Sequence, residues 1–389
     1  MKKCSLVILV GGRGTRISKF SKGIPKPLIK FNNITFLDLI LNYYSKFDFH
    51  EIILLAGYKS EYFKKKYHNT FKNFIKINVV KEKKPLGTGG AISKLKKIIK
   101  NDFLLLNGDS YFEVDLNKIK NIQRRLINIF LVKNINYKSN KKLSSLSIDK
   151  KSRIIFSRNA NYMNSGVIYF SKKVFNLLPK KKVFSLEEDF LNKLISNKAI
   201  HGTKEKGFFI DIGTPKNLKF AKNNLKKKLL RPAYFFDRDG VINFDCGHVH
   251  KTKDLKIKPN VIKALLRVIK KKYYIFIITN QAGVAKKKFK EKDFFKFQKF
   301  LKNKLIKNKV YINDVKYCFF HPNAKIQKYK KRSGFRKPGN LMIESLFKSW
   351  FIDRKKSVMI GDKITDLIAA KKSNLSFFYT KKEIHKLIK

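Results

Sequence analysis

Cysteine is scarce in this chain. Its 389 residues include three, Cys4, Cys246 and Cys318, which form an odd and scattered set. Such a set excludes the disulfide framework of a small secreted protein. The sequence also lacks an apolar run long enough to cross a bilayer, and its first residues lead into a predicted strand rather than into a signal-peptide core. We therefore expect a cytoplasmic protein.

Acidic residues are scarce as well: 27 Asp and Glu stand against 90 Lys and Arg, a net charge of +63. A balance of this kind often indicates a polyanionic partner. Here, however, lysine supplies nearly all of the positive charge, spread along the whole chain together with abundant Phe, Ile and Asn, as an AT-rich genome would encode. A dedicated nucleic-acid binder concentrates its cations on one face. We favour composition bias and predict no specific nucleic-acid or membrane partner.

The apolar content, 43% hydrophobic and 13% aromatic, is sufficient for two domains. Apolar strands at residues 51–56 and 103–107 alternate with helical patterns, and the same alternation restarts after Arg231. This pattern predicts α/β structure with two Rossmann-like domains. We expect a mixed, mostly parallel sheet in residues 1–228 and a parallel sheet in residues 229–389. The boundary lies in a Lys-rich helix end that is closed by Pro232.

The first predicted strand leads into a glycine-rich loop. Without Cβ atoms, its backbone N–H groups can approach a triphosphate, and Arg13 and Arg16 can neutralise the phosphate charge. About ten residues later, Pro25 and Pro27 can hold Lys26 rigidly against an anionic substrate. The pattern predicts a nucleoside triphosphate site with the loop residues Gly11, Gly12, Gly14 and Thr15.

With these motifs, the N-terminal half resembles the sugar-1-phosphate nucleotidyltransferases. Residues 82–91 (EKKPLGTGGA) look like the base-reading loop of that family. The resemblance implies that Arg16 and Lys26 are catalytic and that Asp109 and Asp211 hold Mg²⁺ against the α-phosphate. It assigns nucleotide or substrate binding to Gly87, Asn164 and Glu188, besides the glycine-rich loop.

Two alternatives stay open for these acids. Asp109 and Asp211 can also be read as ordinary caps at strand ends. The cluster Glu187, Glu188 and Asp189 lies where the family places a sugar-binding acid, but it equally fits an exposed acidic group at a helix N-terminus.

A second set of carboxylates follows the strand that opens the C-terminal half. Asp237 and Asp239 stand two residues apart in DRDGVIN, at the carboxyl end of the strand, the usual site position in an open α/β sheet. One carboxylate can attack phosphorus while the other transfers a proton. The motif predicts a phosphomonoesterase.

This half resembles the haloacid dehalogenase (HAD) phosphatases, because three further motifs follow in family order at residues 277–281, 336–338 and 359–366. The resemblance implies that Asp237 forms an aspartyl-phosphate, that Asp239 is the general acid and base, and that Lys337 clamps nucleophile and phosphate. Asp366 would support the acidic loop. Substrate binding falls to Thr279, Asn280 and Arg336, and Mg²⁺ binding to Asp237, Asp362 and the backbone carbonyl of Asp239.

Within that superfamily the chain looks like the heptose 1,7-bisphosphate 7-phosphatases and the related histidinol phosphatases, which usually carry a structural zinc. Cys318 is kept, but Phe320 stands where a histidine is expected, and residues 333–335 replace the second cysteine pair. We therefore predict no zinc. The loop must be held by packing instead, with Phe319, Phe320 and Phe335 as candidates. His248 and His250 either contact substrate or cap a turn.

The two predicted reactions can be consecutive. Removing the 7-phosphate of a heptose 1,7-bisphosphate leaves a sugar 1-phosphate, which a nucleotidyltransferase can activate. The N-terminal half most resembles heptose 1-phosphate guanylyltransferases, so we predict a bifunctional enzyme that uses Mg²⁺ in both domains and makes GDP-heptose. An ADP-heptose route is disfavoured because its His-containing nucleotide motif is not found.

Two other functions remain. One is a mannose-type hexose-1-phosphate nucleotidyltransferase fused to a histidinol-phosphatase-like enzyme. The other is a polyanion-binding protein on a decayed scaffold, against which the intact candidate catalytic residues argue.

Overall fold

The computed structural model describes residues 4–21, 23–82, 84–133, 145–157, 161–380 and 384–388. Lys83, in the predicted base-reading segment, lies outside these ranges. Within the described residues the chain divides into two compact units. One comprises Met1–Phe31, Thr35–Leu41 and Asp48–Leu225, and the other comprises Asn32–Ile34, Asn42–Phe47 and Lys226–Lys389.

The N-terminal half of the chain alternates strands and helices. Its strands are β1 (Cys4–Leu9), β2 (Lys30–Phe31), β3 (Ile34–Thr35), β4 (Phe49–Ala56), β5 (Thr70–Lys72), β6 (Ile75–Lys81), β7 (Phe103–Asn107), β8 (Ser110–Phe112), β9 (Ile127–Lys133), β10 (Leu146–Ile148), β11 (Ile154–Phe156), β12 (Tyr162–Phe170), β13 (His201–Glu205) and β14 (Phe209–Asp211). Its α-helices are α1 (Ser18–Ser21), α2 (Phe36–Tyr44), α3 (Ser60–Tyr67), α4 (Gly87–Ser93), α5 (Ile119–Ile122), α6 (Asn192–Ser196) and α7 (Pro215–Leu229).

The main sheet of this half is mixed, with a parallel centre, as predicted. Its order is β11-β10-β12-β7-β1-β4-β6-β5, and β9 pairs with both β12 and β13. Strand β1 is parallel to β4 and β7, whereas β12 is antiparallel to β7. Leu6, Val7 and Ile8 are all fully buried. A strand that is buried on both faces requires the continuous apolar run that the sequence shows here.

The parallel strands bring several loops to one edge of the sheet. Leu9, at the end of β1, pairs with Asn107 at the end of β7, so Asp109 follows close to the glycine-rich loop. The Gly108 N–H donates to the Leu9 carbonyl at 2.9 Å. The antiparallel pair β8–β14 places Asp211 opposite Ser110. Strand pairing therefore brings Asp109 and Asp211 together across about 100 residues of sequence.

The C-terminal half forms a five-stranded sheet in the order β17-β16-β15-β18-β19, in which neighbours are parallel, as predicted. Its elements are β15 (Ala233–Phe236), α8 (Val261–Lys270), β16 (Tyr274–Asn280), α9 (Ala282–Ala285), α10 (Glu291–Lys307), β17 (Asp314–Cys318), α11 (Leu341–Ser349), β18 (Val358–Gly361), α12 (Ile364–Lys372) and β19 (Ser376–Tyr379).

Helix α8 shows how these helices cover the sheet. Its buried residues Val261, Ala264, Leu265 and Val268 recur at the spacing that lines one helical face. They join the fully buried Phe236 in one apolar core. Among the described residues, no helix is both long enough and apolar enough to span a membrane.

Candidate active sites

Two cavities adjoin the glycine-rich loop of the N-terminal domain. The larger, of about 680 Å³, is lined by Gly11, Gly12 and Arg13 on one side and by residues 84–88 on the other. The smaller, of about 220 Å³, is lined by Lys26, Asp109 and Asn164. Both are lined by Leu9, Gly12 and Thr88, so they are adjacent. Such a pair of compartments suits a nucleotide beside a smaller polar substrate.

Gly11 allows two backbone segments that line the larger cavity, its own and that of Gly57, to lie close together. A Cβ at this position would lie 2.8 Å from the Gly57 nitrogen, so a side chain does not fit. Gly14 lies against the Lys26 side chain, and Thr15 begins a short 3₁₀ turn. On the opposite wall, Gly87 begins α4 against Phe184, and the Gly89 N–H donates to the Phe184 carbonyl at 3.1 Å.

Cations and carboxylates meet beside the smaller cavity. Lys26 Nζ lies 3.3 Å from Asp109 Oδ2. A Cβ built on Gly213 would lie 2.9 Å from Asp211 Oδ1, 3.5 Å from Asp109 Oδ2 and 3.7 Å from the Arg16 guanidinium. The four candidate residues Arg16, Lys26, Asp109 and Asp211 are therefore in one place.

The two carboxylates of this group repel each other. Burial, and then the nearby Asp109, raise the pKa of Asp211 to about 6, although the Gly213 N–H, Lys26 and Arg16 oppose the shift. Two carboxylates that share a partly buried site favour a bound cation, because it removes their mutual repulsion. The donor set suits Mg²⁺, which prefers oxygen ligands.

The acidic cluster of Glu187, Glu188 and Asp189 lies in a π-helical turn, Leu186–Leu191. Glu187 lines the smaller cavity, whereas Glu188 is not among its lining residues. The Glu188 N–H is capped by the Ser185 hydroxyl at 3.2 Å, and Asp189 pairs with Lys181 at 2.8 Å. Of the three acids, Glu187 is thus the one that lines this cavity, and not Glu188, to which the family resemblance assigned substrate binding.

In the C-terminal domain, one buried lysine joins two buried carboxylates. Lys337 Nζ lies 2.9 Å from Asp237 Oδ2 and 2.6 Å from Asp366 Oδ1. Burial raises the pKa of Asp237 to about 7, with Lys337 opposing the shift and Asp366 adding to it. Asp366 also accepts the backbone N–H groups of Asp362 and Lys363. It orders the acidic loop while Lys337 faces the proposed nucleophile.

Asp362 completes an oxygen-rich group with Asp237 and Asp366, whose ligand atoms all lie within 4.8 Å of one another. Its Oδ1 atom is buried without a hydrogen-bond partner. An unpartnered buried carboxylate oxygen is costly unless a cation approaches it. These residues therefore fit Mg²⁺.

Asp239 is held by residues that sequence reasoning did not single out. Its carboxylate accepts two bonds from Arg238, at 2.9 and 2.8 Å, one from Asn243 at 2.9 Å and one from Gln281 at 2.8 Å. The Arg238 side chain is fully buried, with its guanidinium 4.7 Å from the Phe297 ring centroid. The sequence signal that could have identified Arg238 is its position, as a charged residue between the two aspartates of the motif.

The other predicted phosphatase residues surround Lys337. Thr279 is buried, and its hydroxyl accepts from Gln281 at 2.9 Å. The Asn280 side chain bonds both the N–H and the carbonyl of Lys337, each at 3.0 Å. It therefore positions the lysine backbone. Arg336 has a buried Nη1 atom without a partner, and burial lowers its pKa.

Aromatic packing occupies the region of the expected zinc loop. The Phe319 ring lies 5.2 Å from Phe294 and 5.8 Å from Tyr329, and the Phe320 ring has Lys331 4.1 Å above it. Phe335, the third aromatic candidate, is 41% exposed. His250 stacks on Phe289 at 4.6 Å, and its Nδ1 lies 2.8 Å from the His248 carbonyl, which fits the turn-capping alternative.

Fold and geometry define a two-domain enzyme, with a nucleotidyltransferase site at one sheet edge and a phosphatase site at another. Comparison with known families agrees. The family described as nucleotidyl transferase matches residues 5–228, and the one described as HAD-hydrolase-like matches residues 334–387. The chain therefore belongs to the nucleotidyl transferase family, and its C-terminal half matches HAD-like hydrolases.

Individual relatives divide in the same way. A D-glycero-alpha-D-manno-heptose 1-phosphate guanylyltransferase of Campylobacter jejuni is 33% identical over 216 residues, 54% of this chain and 95% of that protein. A D-glycero-beta-D-manno-heptose-1,7-bisphosphate 7-phosphatase of Rhodopseudomonas palustris is 37% identical over 148 residues, 38% of this chain and 82% of that protein. The inositol-1-phosphate CTP transferase structure from T. maritima, 19% identical with a TM-score of 0.50, covers 58% of this chain and 98% of its own, and shares the N-terminal fold.

Proposed function

We propose that the C-terminal domain removes the 7-phosphate of a heptose 1,7-bisphosphate and that the N-terminal domain transfers GMP from GTP to the heptose 1-phosphate. One observation carries the proposal: a single chain joins relatives of a heptose-bisphosphate 7-phosphatase to relatives of a guanylyltransferase named for heptose 1-phosphate. The first reaction yields the acceptor of the second. We also propose a domain division between residues 228 and 229 and a cytoplasmic location, where nucleoside triphosphates are available.

In the phosphatase step, an Asp237 oxygen attacks phosphorus, and the bond from phosphorus to the sugar oxygen breaks. Asp239 gives its proton to the departing alcohol and then takes one from the water that hydrolyses the aspartyl-phosphate. Lys337, 2.9 Å from Asp237, offsets phosphate charge. Mg²⁺ held by Asp237, Asp362 and the Asp239 carbonyl would supply further neutralisation of that charge.

In the transferase step, a phosphate oxygen of the sugar 1-phosphate attacks the α-phosphorus of GTP, and the bond to the β-phosphate oxygen breaks, releasing pyrophosphate. The attacking oxygen is already anionic, so no protein base is needed. Lys26 and Arg16 offset the charge that develops on the phosphates. Asp109 and Asp211 would hold Mg²⁺, which supplies electrostatic stabilisation at the α-phosphate.

The anomer of the sugar substrate has to be specified, because the two kinds of relative are named for opposite anomers. Neither proposed reaction breaks the bond at the anomeric carbon, so both domains must accept the same anomer. We propose the α-anomer, for which the guanylyltransferase relatives are named.

The test incubates the full chain with Mg²⁺, one nucleoside triphosphate and either the α- or the β-heptose 1,7-bisphosphate. We expect phosphate release followed by GDP-heptose, with GTP and the α-anomer only. Parallel reactions contain mannose 1-phosphate and histidinol phosphate. Turnover of these two substrates, with none of either heptose bisphosphate, would contradict the proposal and favour the hexose enzyme.

A further inference from the structure

A third cavity lies in the N-terminal domain, between α5, the turn after β10, and β13. Its volume is about 450 Å³, and none of its lining residues lines the two catalytic cavities. This volume is within the roughly 300–1,000 Å³ that small-molecule sites occupy. We call it the α5–β13 cavity.

Cations dominate the lining. Lys118, Arg125 and Lys204 line the α5–β13 cavity, and Asp149 is the one acid among the described lining residues. Asp149 is already neutralised, because the Arg153 guanidinium lies 2.7 Å from its Oδ2 and two backbone N–H groups donate to its Oδ1. Lys118 is neutralised as well, because its Nζ lies 2.7 Å from Glu205 Oε1. The cavity therefore keeps the positive charge of Arg125 and Lys204.

Arg125 distinguishes the α5–β13 cavity from the lysine-rich surface in general. Arginine is uncommon in this chain, supplying only 12 of the 90 cationic residues. Arg125 Nη1 donates to the Asn128 carboxamide oxygen at 2.7 Å, and no carboxylate in the described part of the chain lies within ion-pair distance. The same Asn128 oxygen accepts the Thr203 hydroxyl at 3.2 Å. Asn128 is fully buried, so it fixes two lining side chains from behind.

The partial burial of Arg125 also indicates a site for an anion. It lowers the pKa of Arg125, and no neighbouring acid counteracts that shift. A partly desolvated guanidinium without a carboxylate partner is stabilised by an incoming oxyanion, which it can bind through two parallel hydrogen bonds.

We propose that the α5–β13 cavity is a further ligand site, which binds a phosphorylated small molecule through its phosphate. Arg125 and Lys204 contact the phosphate, while the Thr203 hydroxyl keeps its hydrogen bond to Asn128 and Lys118 its ion pair with Glu205. Ile122 and Ile148, which also line the cavity, pack against the body of the ligand. The site is separate from both reactions and needs no covalent step.

Calorimetric titration of the full chain tests this at constant ionic strength, with inorganic phosphate, pyrophosphate and GDP as separate probes. The catalytic sites are common to all variants, so a difference from wild type isolates the cavity. We compare R125Q and K204Q with the matched controls R124Q and K206Q, which remove exposed cations outside the lining. Lys204 is itself exposed, so K204Q is informative even if R125Q folds poorly.

We expect one class of sites to weaken about tenfold in R125Q and K204Q but not in the controls, since each variant loses one charge-assisted contact. A change seen with phosphate or pyrophosphate identifies a simple oxyanion ligand. A change seen only with GDP identifies a nucleotide. If all three probes bind both cavity variants with wild-type affinity and stoichiometry, the proposal is wrong.

Discussion

At the scale of single residues, Lys337 governs the charge balance of the phosphatase site. It is almost fully buried between Asp237 and Asp366, at 2.9 and 2.6 Å. Removing one partner of a buried ion pair leaves an uncompensated charge, whereas exposed pairs contribute little. The molecule offers both cases, because Lys363 pairs with Asp245 at 3.0 Å while remaining 54% exposed.

We predict that K337M lowers the free energy of unfolding of the C-terminal domain by about 3 kcal/mol. The control K363Q should cost less than about 1 kcal/mol. Urea unfolding without Mg²⁺, followed by fluorescence, measures both. The single tryptophan, Trp350, is buried against Tyr274 and Phe276 in this domain and reports its unfolding. Equal losses of unfolding free energy in K337M and K363Q would contradict the expectation that the buried ion pair stabilises the domain more than the exposed one.

Gly240 is a second residue on which the phosphatase site depends. Its φ is +82°, and a Cβ there would lie 2.1 Å from Asp362 Oδ2. Gly247 has a similar φ of +77° but open space around its Cβ position. The two positions therefore separate backbone strain from displacement of Asp362.

We predict that G240A lowers the phosphatase kcat by about 100-fold, because misplacing a site group by about 1 Å has an effect of this size. G247A should cost about 1 kcal/mol of stability and leave kcat within a few-fold of wild type. Phosphate-release assays, with the transferase rate as an internal control, measure the difference. Wild-type phosphatase kcat in G240A would show that Asp362 need not stay where it is.

At the scale of elements, the segment after β17 is held without the expected metal ligands. Phe319 packs against Phe294, Tyr317 and Tyr329, with ring centroids 5.0–5.8 Å apart. Such aromatic pairs bury large apolar areas in specific geometry. The segment leads towards Arg336 and Lys337, so its packing bears on the position of Lys337, the candidate catalytic lysine.

We predict that F319A destabilises the C-terminal domain by about 3 kcal/mol, the usual cost of truncating a buried Phe. F335A, at a 41% exposed position, should change stability little. A zinc chelator should leave the Trp350 unfolding transition of wild type unchanged. Stoichiometric zinc in the purified protein, or a transition lowered by the chelator, would contradict this prediction.

At the scale of the whole molecule, each site takes its residues from one unit. Lys26, Asp109 and Asp211 belong to the first, and Asp237 and Lys337 to the second. D237N should therefore abolish phosphate release while leaving transfer to pre-made heptose 1-phosphate, and D109N should do the reverse. A 1:1 mixture of the two variants should form GDP-heptose from the bisphosphate after a lag, because the intermediate can diffuse between molecules.

Separate assays of both half-reactions and a time course of the mixture measure these outcomes. Loss of both activities from either single variant that still folds would contradict separate sites. A mixture that is inactive overall, while each half-reaction proceeds, would indicate that the intermediate does not leave the chain.

The net charge of +63 also belongs to this scale. The candidate catalytic cations Lys26 and Lys337 differ from the other described lysines that pair with carboxylates in their burial, because their side chains are only 11% and 3% exposed. A lysine excess encoded along the whole chain does not identify such positions. The sequence motifs identify these two positions, because each lysine is part of a short segment with a proline beside it.

The sequence by itself determined the two domain folds and most of the candidate site residues. Asp237 and Asp362 directly follow short apolar strands, and Asp109 lies two residues beyond another. In each sheet, parallel strands bring their carboxyl ends to one edge. Residues that are local to a motif are thus placed by strand order alone.

Tertiary structure decided what depends on side-chain direction and on distant partners. It placed Glu187 rather than Glu188 in the lining of the smaller N-terminal cavity, because a π-helical turn fixes which acid faces inward. It buried Arg238 against Asp239 and gathered Arg125, Lys118 and Lys204 around a third cavity. These contacts join segments far apart in the chain, and a linear pattern carries no information about which side chains will meet after packing.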